Sequence, residues 1–403
     1  MQKILALHHC LQQQANKIGC HEQMPLRFIL KFIKLESSSG IILFFAAAMA
    51  MIASNTSLNT YYTAFQSSKP VILFINDGCM SIFFLLVGLE IKRELFEGEL
   101  NSFSKAILPG ISAIGGMLIP AIIYFIFNRH DLAALRGWAI PTATDIAFSL
   151  GILSLLGKRI PTSLKIFLMA LAIFDDLGAI VIIATFYTST IHLLALLGAL
   201  FFAIILFLMN YFNVKKIILF LIIGFFLWLC IFKSGIHPTI AGVILALFIP
   251  VKNSDPKLKS PLQTLEHALH PWVAFAILPL FAFTNAGISF SVNTFSDLLL
   301  PIPVGIAAGL FFGKMIGIYT STLLAVKLKL SSLPKEITKI GLFGISLIAG
   351  VGFTMSLFIG NLAFGPNVEY AEFVRIGVLL GSILSGSFGY FILRSVYEKK
   401  RMN

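Results

Sequence analysis

The sequence predicts an all-α protein that crosses a membrane about twelve times. Of its 403 residues, 58% are hydrophobic and 12% are charged, compared with roughly 45 to 50% and about 25% in soluble domains. Polar side chains are too few to cover water-exposed domains of this length, so a soluble enzyme is excluded. Apolar stretches of roughly 20 residues, the length that spans a bilayer, are centred near positions 47, 80, 115, 145, 175, 200, 224, 243, 275, 314, 350 and 383.

The basic residues predict the orientation of these spans. The chain has 30 Lys and Arg against 18 Asp and Glu, for a formal net charge of +12. Most basic residues lie in the two termini and in alternate loops, and the opposite side holds only Lys69, Arg129, Arg136, Lys233 and Arg375. The positive-inside rule therefore predicts that both termini are cytoplasmic. The positive charge reflects membrane topology and does not indicate a nucleic-acid-binding surface.

Residues 1–35 are predicted to form a cytoplasmic tail. Within it, residues 24–35 place Arg27, Lys31 and Lys34 on one face of an amphipathic helix that would lie in the headgroup region. The tail also contains histidines and cysteines that are either incidental or a metal site, although their spacing matches no usual zinc pattern: His8, His9, Cys10, Cys20 and His21. Cys79 and Cys230 lie in apolar spans, so no disulfide framework is expected.

Two predicted spans contain helix-breaking residues. The fourth includes Pro141 within Ile140–Asp145, and the eleventh includes Gly350 and Gly352 within Ala349–Thr354. Each is the middle span of a triplet, spans three to five and ten to twelve. Broken helices at matching places predict an inverted repeat with a midplane site at two crossing, discontinuous helices.

Four ionisable residues fall deep inside predicted spans: Asp145, Asp175, Asp176 and Lys314. Each costs at least ~2.5 to 3.5 kcal/mol at the bilayer centre, so a functional role is expected. Two carboxylates ~5 Å apart repel by about 3 kcal/mol at an effective dielectric of ~20, so protons and a small hard cation would compete for their oxygens. A purely structural ion pair would explain one acid and leave two carboxylates unexplained.

The chain resembles the NhaA family of sodium/proton antiporters from about Glu36 to the C-terminus. The resemblance is carried by the motifs Ile75–Asp77, Phe83–Leu95, Gly137–Phe148, Lys165–Gly178, Ser234–Gly242, Leu265–Trp272, Leu278–Gly287 and Gly350–Phe358. Inverted repeats are themselves typical of this family, so the two observations are not independent.

The resemblance implies an electrogenic sodium or lithium exporter that takes up two protons per sodium ion and needs no cofactor. Asp175 and Asp176 would bind the cation and exchange protons, with Lys314 paired to Asp175. Thr144 and Asp145 would lie where the broken helices cross, Asp145 offsetting helix N-terminal ends and Lys314 C-terminal ends. Residues 36–396 would form one transporter domain of the bacterial inner membrane, with a core at about 104–188 and 303–396, a panel formed by the other spans, and a cytoplasmic tail at 397–403.

The family resemblance also implies regulation by pH through a cytoplasmic cluster and one further histidine: Glu90, Arg93, Glu94, Glu266, His267, His270 and His237. Glu266 and His270 are spaced to pair on one helix face. An interfacial capping network is the alternative, and a zinc site is disfavoured because the order is not His-Glu-x-x-His. Gln263 and Thr264 stand where relatives often carry basic residues.

Three points remain open from the sequence. The first external loop, Ser54–Pro70, is shorter than in relatives whose β-hairpin there makes the dimer contact, so a homodimer is not assigned. A sodium-coupled solute symporter would use the same carboxylates with an added substrate pocket. An intramembrane aspartyl protease also needs two deep aspartates, but the chain has no Gly-x-Gly-Asp motif and Lys314 would have no catalytic purpose.

Overall fold

The computed structural model describes residues 39–98, 100–188, 191–252, 259–290, 294–334, 336–365 and 367–399. Within these ranges the chain forms helices joined by turns, and no strand occurs among them. The all-α class predicted from the sequence is therefore confirmed. The predicted tail at 1–35, with its amphipathic helix and its histidines and cysteines, lies outside the described residues.

We number the main helices in chain order. They are α1 Ser39–Ser54, α2 Asn59–Ser67, α3 Lys69–Phe96, α4 Phe103–Asn128, α5 Ala134–Thr142, α6 Ile146–Leu155, α7 Thr162–Phe186, α8 Leu193–Tyr211, α9 Ile217–Ser234, α10 Ile240–Phe248, α11 Pro261–Asn285, α12 Pro301–Lys327, α13 Lys339–Ile348, α14 Phe353–Phe364 and α15 Val368–Lys399. Helix α5 is wound as a 3-10 helix, and short helical turns occur at Gly157–Arg159 and Thr294–Asp297.

Among the described residues, 8 helices are long and apolar enough to cross a membrane, or up to 11 if each bent helix pair is one span. The difference from the twelve predicted stretches arises mainly at α10. This helix has 9 residues, or about 14 Å, less than half of the ~30 Å hydrocarbon core. The protein is thus an all-α, multi-pass membrane protein, and the segment predicted as the first external loop contains the helix α2.

Three π-helical turns interrupt the long helices, at Leu73–Cys79 in α3, Val273–Ile277 in α11 and Gly309–Gly313 in α12. Such turns are frequent at functional sites because they rotate the side chains that follow. The turn in α12 ends directly before Lys314, and Gly313 packs against Pro120 of α4, where a Cβ would lie 2.7 Å from the Pro120 Cα atom. Close packing thus fixes the part of α12 that carries the buried lysine.

Asp131 organises the loop between α4 and α5. Its Oδ1 accepts hydrogen bonds from the backbone N–H groups of Ala133 and Ala134, and its Oδ2 accepts one from the Tyr370 hydroxyl. The bond from Ala134, followed by those from Tyr370 and Ala133, holds the pKa of Asp131 below its ordinary value of 3.8, because these donors stabilise the ionised form.

Candidate functional site

The chain breaks twice at one place in the bundle. Helices α5 and α6 meet at a bend of 42°, and α13 and α14 meet at a bend of 45°. The residues between them are hydrogen-bonded to each other, since the Asp145 N–H donates to the Val351 carbonyl over 2.7 Å. Pro141 and the Gly350–Gly352 segment explain why helices stop here. The two breaks therefore form one continuous patch of non-helical backbone.

Asp145 caps two helices at these breaks. Its Oδ1 accepts from the Phe148 N–H in the first turn of α6 over 2.9 Å. Its Oδ2 accepts from the Thr354 N–H over 3.0 Å and from the Thr354 hydroxyl over 2.5 Å, in the first turn of α14. A negative charge at two helix N-termini is stabilised by their unpaired N–H groups and their dipoles. The sequence pattern does not single out Thr354, although a hydroxyl at the second residue of a helix that follows a break indicates a polar contact there.

Asp175 is held by a buried ion pair. The Lys314 Nζ atom lies 2.5 Å from Asp175 Oδ2, and both side chains are 0% exposed. The Thr144 hydroxyl lies 2.7 Å from the same oxygen and 2.7 Å from the Ala349 carbonyl at the end of α13. A hydroxyl has one proton, so Thr144 donates to only one of these two acceptors at a time.

Asp176, the next residue, is buried, and one of its carboxylate oxygens has no described hydrogen-bond partner. It is 2% exposed, and no described residue forms a hydrogen bond with its Oδ1. The residue lines a cavity of about 40 Å³, which exceeds the roughly 30 Å³ share of one liquid water. The cavity therefore has room for a small ion beside a carboxylate oxygen that has acceptor capacity to spare.

The cavity joins the two groups of residues predicted from the sequence. Thr144, Asp145 and Asp176 line it, and so do Glu90 of α3 and His270 of α11. The structure therefore brings the deep acids together with two members of the predicted pH-sensing set, which come from the cytoplasmic halves of their helices in the predicted topology.

Small residues bring Lys314 to this cluster. Gly115 of α4 and Gly317 of α12 face each other so closely that a Cβ on either would overlap backbone of the other. Gly116 lies next to the lysine stem, with the Lys314 Cδ atom 3.8 Å from where a Cβ would stand. Contact between the two helix backbones thus sets the position of the buried amine.

Arg93 connects α3 with α11. Its guanidinium lies 2.7 Å from Glu94 Oε1, and its Nε donates to both carboxylate oxygens of Glu266 over 2.9 and 3.1 Å. Glu266 is only 2% exposed. The interhelical partner of Glu266 is therefore Arg93, a contact that sequence spacing within α11 does not predict.

His267 and Gln263 lie at the start of α11. The His267 Nδ1 atom is 2.6 Å from the Gln263 carbonyl, and the Gln263 side chain donates to Glu97 over 2.8 Å. Gln263 also closes a capping box with Ser260. Gln263 is thus a structural residue of this helix start.

His237 is placed apart from the cluster. It lies in the turn between α9 and α10, with Nε2 3.5 Å from Asp77 Oδ1 and Nδ1 2.8 Å from the Thr239 hydroxyl. Asp77 precedes Glu90 by 13 positions on α3, or about 20 Å of helix. The structure therefore does not bring His237 to the other predicted pH-sensing residues.

Two further polar contacts were missed by the sequence analysis. Lys92 donates to the carbonyls of Leu247 and Ile249, each over 2.6 Å, and so satisfies the end of the short helix α10. An amide chain joins α14, α11 and α3, from Asn361 to Asn285 over 2.8 Å and from Asn285 to Asn76 over 3.0 Å. Polar residues inside apolar spans were the available signal in both cases.

The ligand chemistry of the cluster suits a hard cation. Asp175, Asp176 and Thr144 offer oxygen atoms only, and no group of three or more His, Cys, Asp or Glu side chains arranged for a metal ion occurs within the described ranges. A helical membrane bundle that buries Asp145, Asp175, Asp176 and Lys314 beside a cavity has the features of a protein that moves ions, because ionisable residues inside membrane spans are costly and usually functional.

Comparison with known proteins agrees with this class. Residues 30–393 match the family model described as Na+/H+ antiporter 1. The Na+/H+ antiporter NhaA 1 of Syntrophotalea carbinolica is 48% identical over 391 residues, covering 94% of this chain and 99% of that protein. The NhaA of Proteus mirabilis is 50% identical over 384 residues, covering 92% of this chain and 97% of that protein. The NhaA of Aliivibrio salmonicida is 50% identical over 377 residues, covering 92% and 98% respectively.

The chain belongs to the Na+/H+ antiporter 1 family. It is therefore a membrane transporter and not an enzyme, so the protease alternative raised by the deep aspartates is excluded.

Proposed function

We propose that the protein exports Na+ or Li+ from a bacterial cytoplasm across the inner membrane in exchange for two protons, which compete for Asp175 and Asp176. The observation that carries this proposal is the contrast between the two carboxylates. Asp175 is neutralised by Lys314, whereas Asp176 lines the cavity. The Oδ1 atoms of both carboxylates are buried without a described hydrogen-bond partner, so the two residues differ in the lysine beside Asp175 and the cavity beside Asp176. A cation and a proton would therefore meet at the same oxygen.

The net charge of Asp175, Asp176 and Lys314 in each state determines how much charge crosses the membrane in one cycle. With both carboxylates ionised and Lys314 protonated, the group carries one net negative charge; bound Na+ cancels it, and two bound protons leave one positive charge. A cycle that returns two protons per sodium ion thus moves one net charge inward. At ~100 mV this is worth ~2.3 kcal/mol, close to a fifty-fold sodium gradient. The membrane potential would drive export even at equal pH.

The Thr144 hydroxyl provides a proton-linked rearrangement. While Asp175 is ionised, the hydroxyl donates to its Oδ2; once Asp175 carries a proton, Thr144 is free to donate to the Ala349 carbonyl instead. Protonation would therefore shift a hydrogen bond from α7 to the end of α13. This couples the state of the carboxylate to the broken helices.

The proposed topology has twelve spans with both termini in the cytoplasm. The pairs α5 with α6 and α13 with α14 would each act as one discontinuous span, and the two would cross at Asp145. The hydrogen bond from Asp145 to Val351 supports this arrangement. The core would comprise about 104–188 and 303–396, with the remaining spans as a panel.

We assign regulation by pH to the Arg93, Glu94 and Glu266 network together with the cavity-lining Glu90 and His270. Histidine titrates near neutrality, and charge on His270 would act on the cavity that Asp176 lines. His267 at the start of α11 and the remote pair of His237 with Asp77 would contribute separately. An interfacial capping network is the competing role for the same contacts.

The proposal is tested in everted membrane vesicles with a preformed proton gradient. Sodium or lithium should dissipate the gradient without any organic solute, and the variants Asp175→Asn and Asp176→Asn should each abolish this response at normal expression. The same substitution outside the cluster, Asp297→Asn, should leave it intact. A requirement for an organic solute would assign the protein as a symporter. Normal exchange in either cluster variant would refute the roles given to the carboxylates.

Stoichiometry and pH dependence need one further measurement. Transport across pH 6 to 9, with the membrane potential clamped and unclamped, should show faster export when the interior of the cell is negative. Export that is indifferent to the potential would contradict the two-proton cycle.

A further inference from the structure

A second cavity of about 960 Å³ opens beside the bundle between α4, α7 and the segment that follows α12. Its volume lies at the upper end of the range of small-molecule pockets. Its rim is polar, with exposed Lys105 and Lys329 and half-buried Ser163. The Ser163 hydroxyl donates to the exposed Glu336 carboxylate over 2.8 Å, so the two lysines face one acidic side chain at the same rim. None of these residues belongs to the carboxylate site, so this cavity is separate from the one that Asp176 lines.

The floor of this cavity is apolar. Buried Leu108, Pro109, Phe167 and Ala170 line its inner part. Along α7 the lining runs from Ser163 to Ala170, or about 10 Å of helix. The cavity therefore changes from charged to apolar over a depth comparable to that between a lipid headgroup and the first carbons of its chains.

We propose that this cavity binds an anionic phospholipid, with its phosphate at Lys105 and Lys329 and the upper part of an acyl chain on the apolar floor. A lysine ammonium is a common phosphate partner. Apolar side chains that flank the rim are strongly exposed, with Phe103 at 82%, Leu328 at 59% and Leu330 at 50%. They would lie against the same lipid layer.

The backbone at Lys329 supports a selected role for its side chain. Helix α12 ends in a Schellman motif, in which the Leu330 N–H donates to the Ala325 carbonyl and the Lys329 N–H donates to the Val326 carbonyl, each over 3.0 Å. Lys329 has a φ of 58°, at the position where glycine is favoured. A lysine in this strained left-handed conformation supports a functional role for its side chain at the rim of the cavity.

The location fits the proposed lipid. The start of α4, the start of α7 and the end of α12 lie on the face that carries most of the basic residues, which the positive-inside rule assigns to the cytoplasm. That leaflet carries the anionic lipids and attracts basic segments next to the membrane. The inference concerns a site separate from the exchange of ions and does not depend on it.

The test is lipid binding to the purified protein, measured by native mass spectrometry and by thermal unfolding. The ligands are phosphatidylglycerol, phosphatidylethanolamine and inorganic phosphate. Phosphatidylglycerol should bind and raise the melting temperature, and the double variant Lys105→Gln/Lys329→Gln should bind it at least tenfold more weakly. The control Lys327→Gln/Lys339→Gln removes the same charge from the same face outside the cavity lining and should bind normally.

Two single variants separate the cavity from general surface charge. Lys329→Gly should relieve the strained backbone, raising stability without lipid while weakening lipid binding. Ala170→Leu should narrow the floor and weaken binding with both lysines intact; gel filtration and an unchanged far-UV circular dichroism spectrum would show that it folds. Equal loss in the control pair, equal stabilisation by inorganic phosphate or by phosphatidylethanolamine, or full binding to Ala170→Leu would overturn the proposal.

Discussion

The Lys314–Asp175 ion pair is the contact whose removal has the most calculable effect. Both side chains are 0% exposed and their charged atoms are 2.5 Å apart. The substitution Lys314→Met keeps an unbranched side chain that is one atom shorter, and it leaves the Asp175 carboxylate buried beside Asp176 with only the Thr144 hydroxyl as a donor. Breaking a buried pair by removing one partner costs about 3 to 5 kcal/mol. At ~1.4 kcal/mol per factor of ten, the folded population should fall relative to the unfolded one by at least about a hundredfold.

The double variant Asp175→Asn/Lys314→Met should recover most of this loss. Replacing both members of a buried pair by neutral groups is often close to neutral in stability, and the new amide oxygen can still accept from Thr144. We expect a coupling free energy of about 3 kcal/mol, at the upper end of the range for contacting residues. The assay is equilibrium unfolding in mixed micelles of the parent, the two single variants Asp175→Asn and Lys314→Met, and the double variant. A Lys314→Met variant as stable as the parent, or a double variant no more stable than Lys314→Met, would refute the reasoning.

Three other outcomes are expected. Gly317→Ala should push α12 away from α4, lowering both thermal stability and the sodium-dependent proton release that we propose, whereas Gly110→Ala in the same α4 has only ordinary contact distances and should be tolerated. Glu266→Gln should shift the pH midpoint of transport, because Arg93 loses a charged partner, whereas Glu97→Gln at the end of α3 should not. The hydrogen bonds that lower the pKa of Asp131 stabilise the fold above pH ~4, and this stabilisation is lost as the pH falls through the lowered pKa. Asp131→Asn lacks the ionisable group, so its free energy of unfolding should fall less than that of the parent between pH 5 and 3.

Each of these expectations has a contradicting result. Equal tolerance of both glycine variants would show that α4 and α12 do not depend on close backbone contact. An unchanged pH midpoint in Glu266→Gln would favour the capping role of the Arg93 network. A parallel acid profile for Asp131→Asn and the parent would show that the loop bonds contribute nothing to folding.

Properties that depend on local composition were accessible from the sequence. Hydrophobic stretches and basic loops predict a multi-pass helical protein because the bilayer imposes those requirements on each segment separately. Pro141 and the glycines near Gly350 predict interruptions at the positions where helices do end. The deep charges Asp175 and Lys314 stood out because few such residues occur within apolar spans. The number of spans was less accessible, since α10 is too short to cross by length alone.

The tertiary structure decided which of these groups meet. Lys314 reaches Asp175 across 139 positions of chain, and Arg93 reaches Glu266 across 173. The family resemblance implies the first pairing, but no periodicity within one helix encodes either contact. The same holds for the second helix that Asp145 caps through Thr354, and for the cavity that places Asp176 beside His270. Sequence patterns report the preference of each segment for lipid or water, whereas the partner of a buried charge is set by how the helices pack, and therefore only the folded bundle shows it.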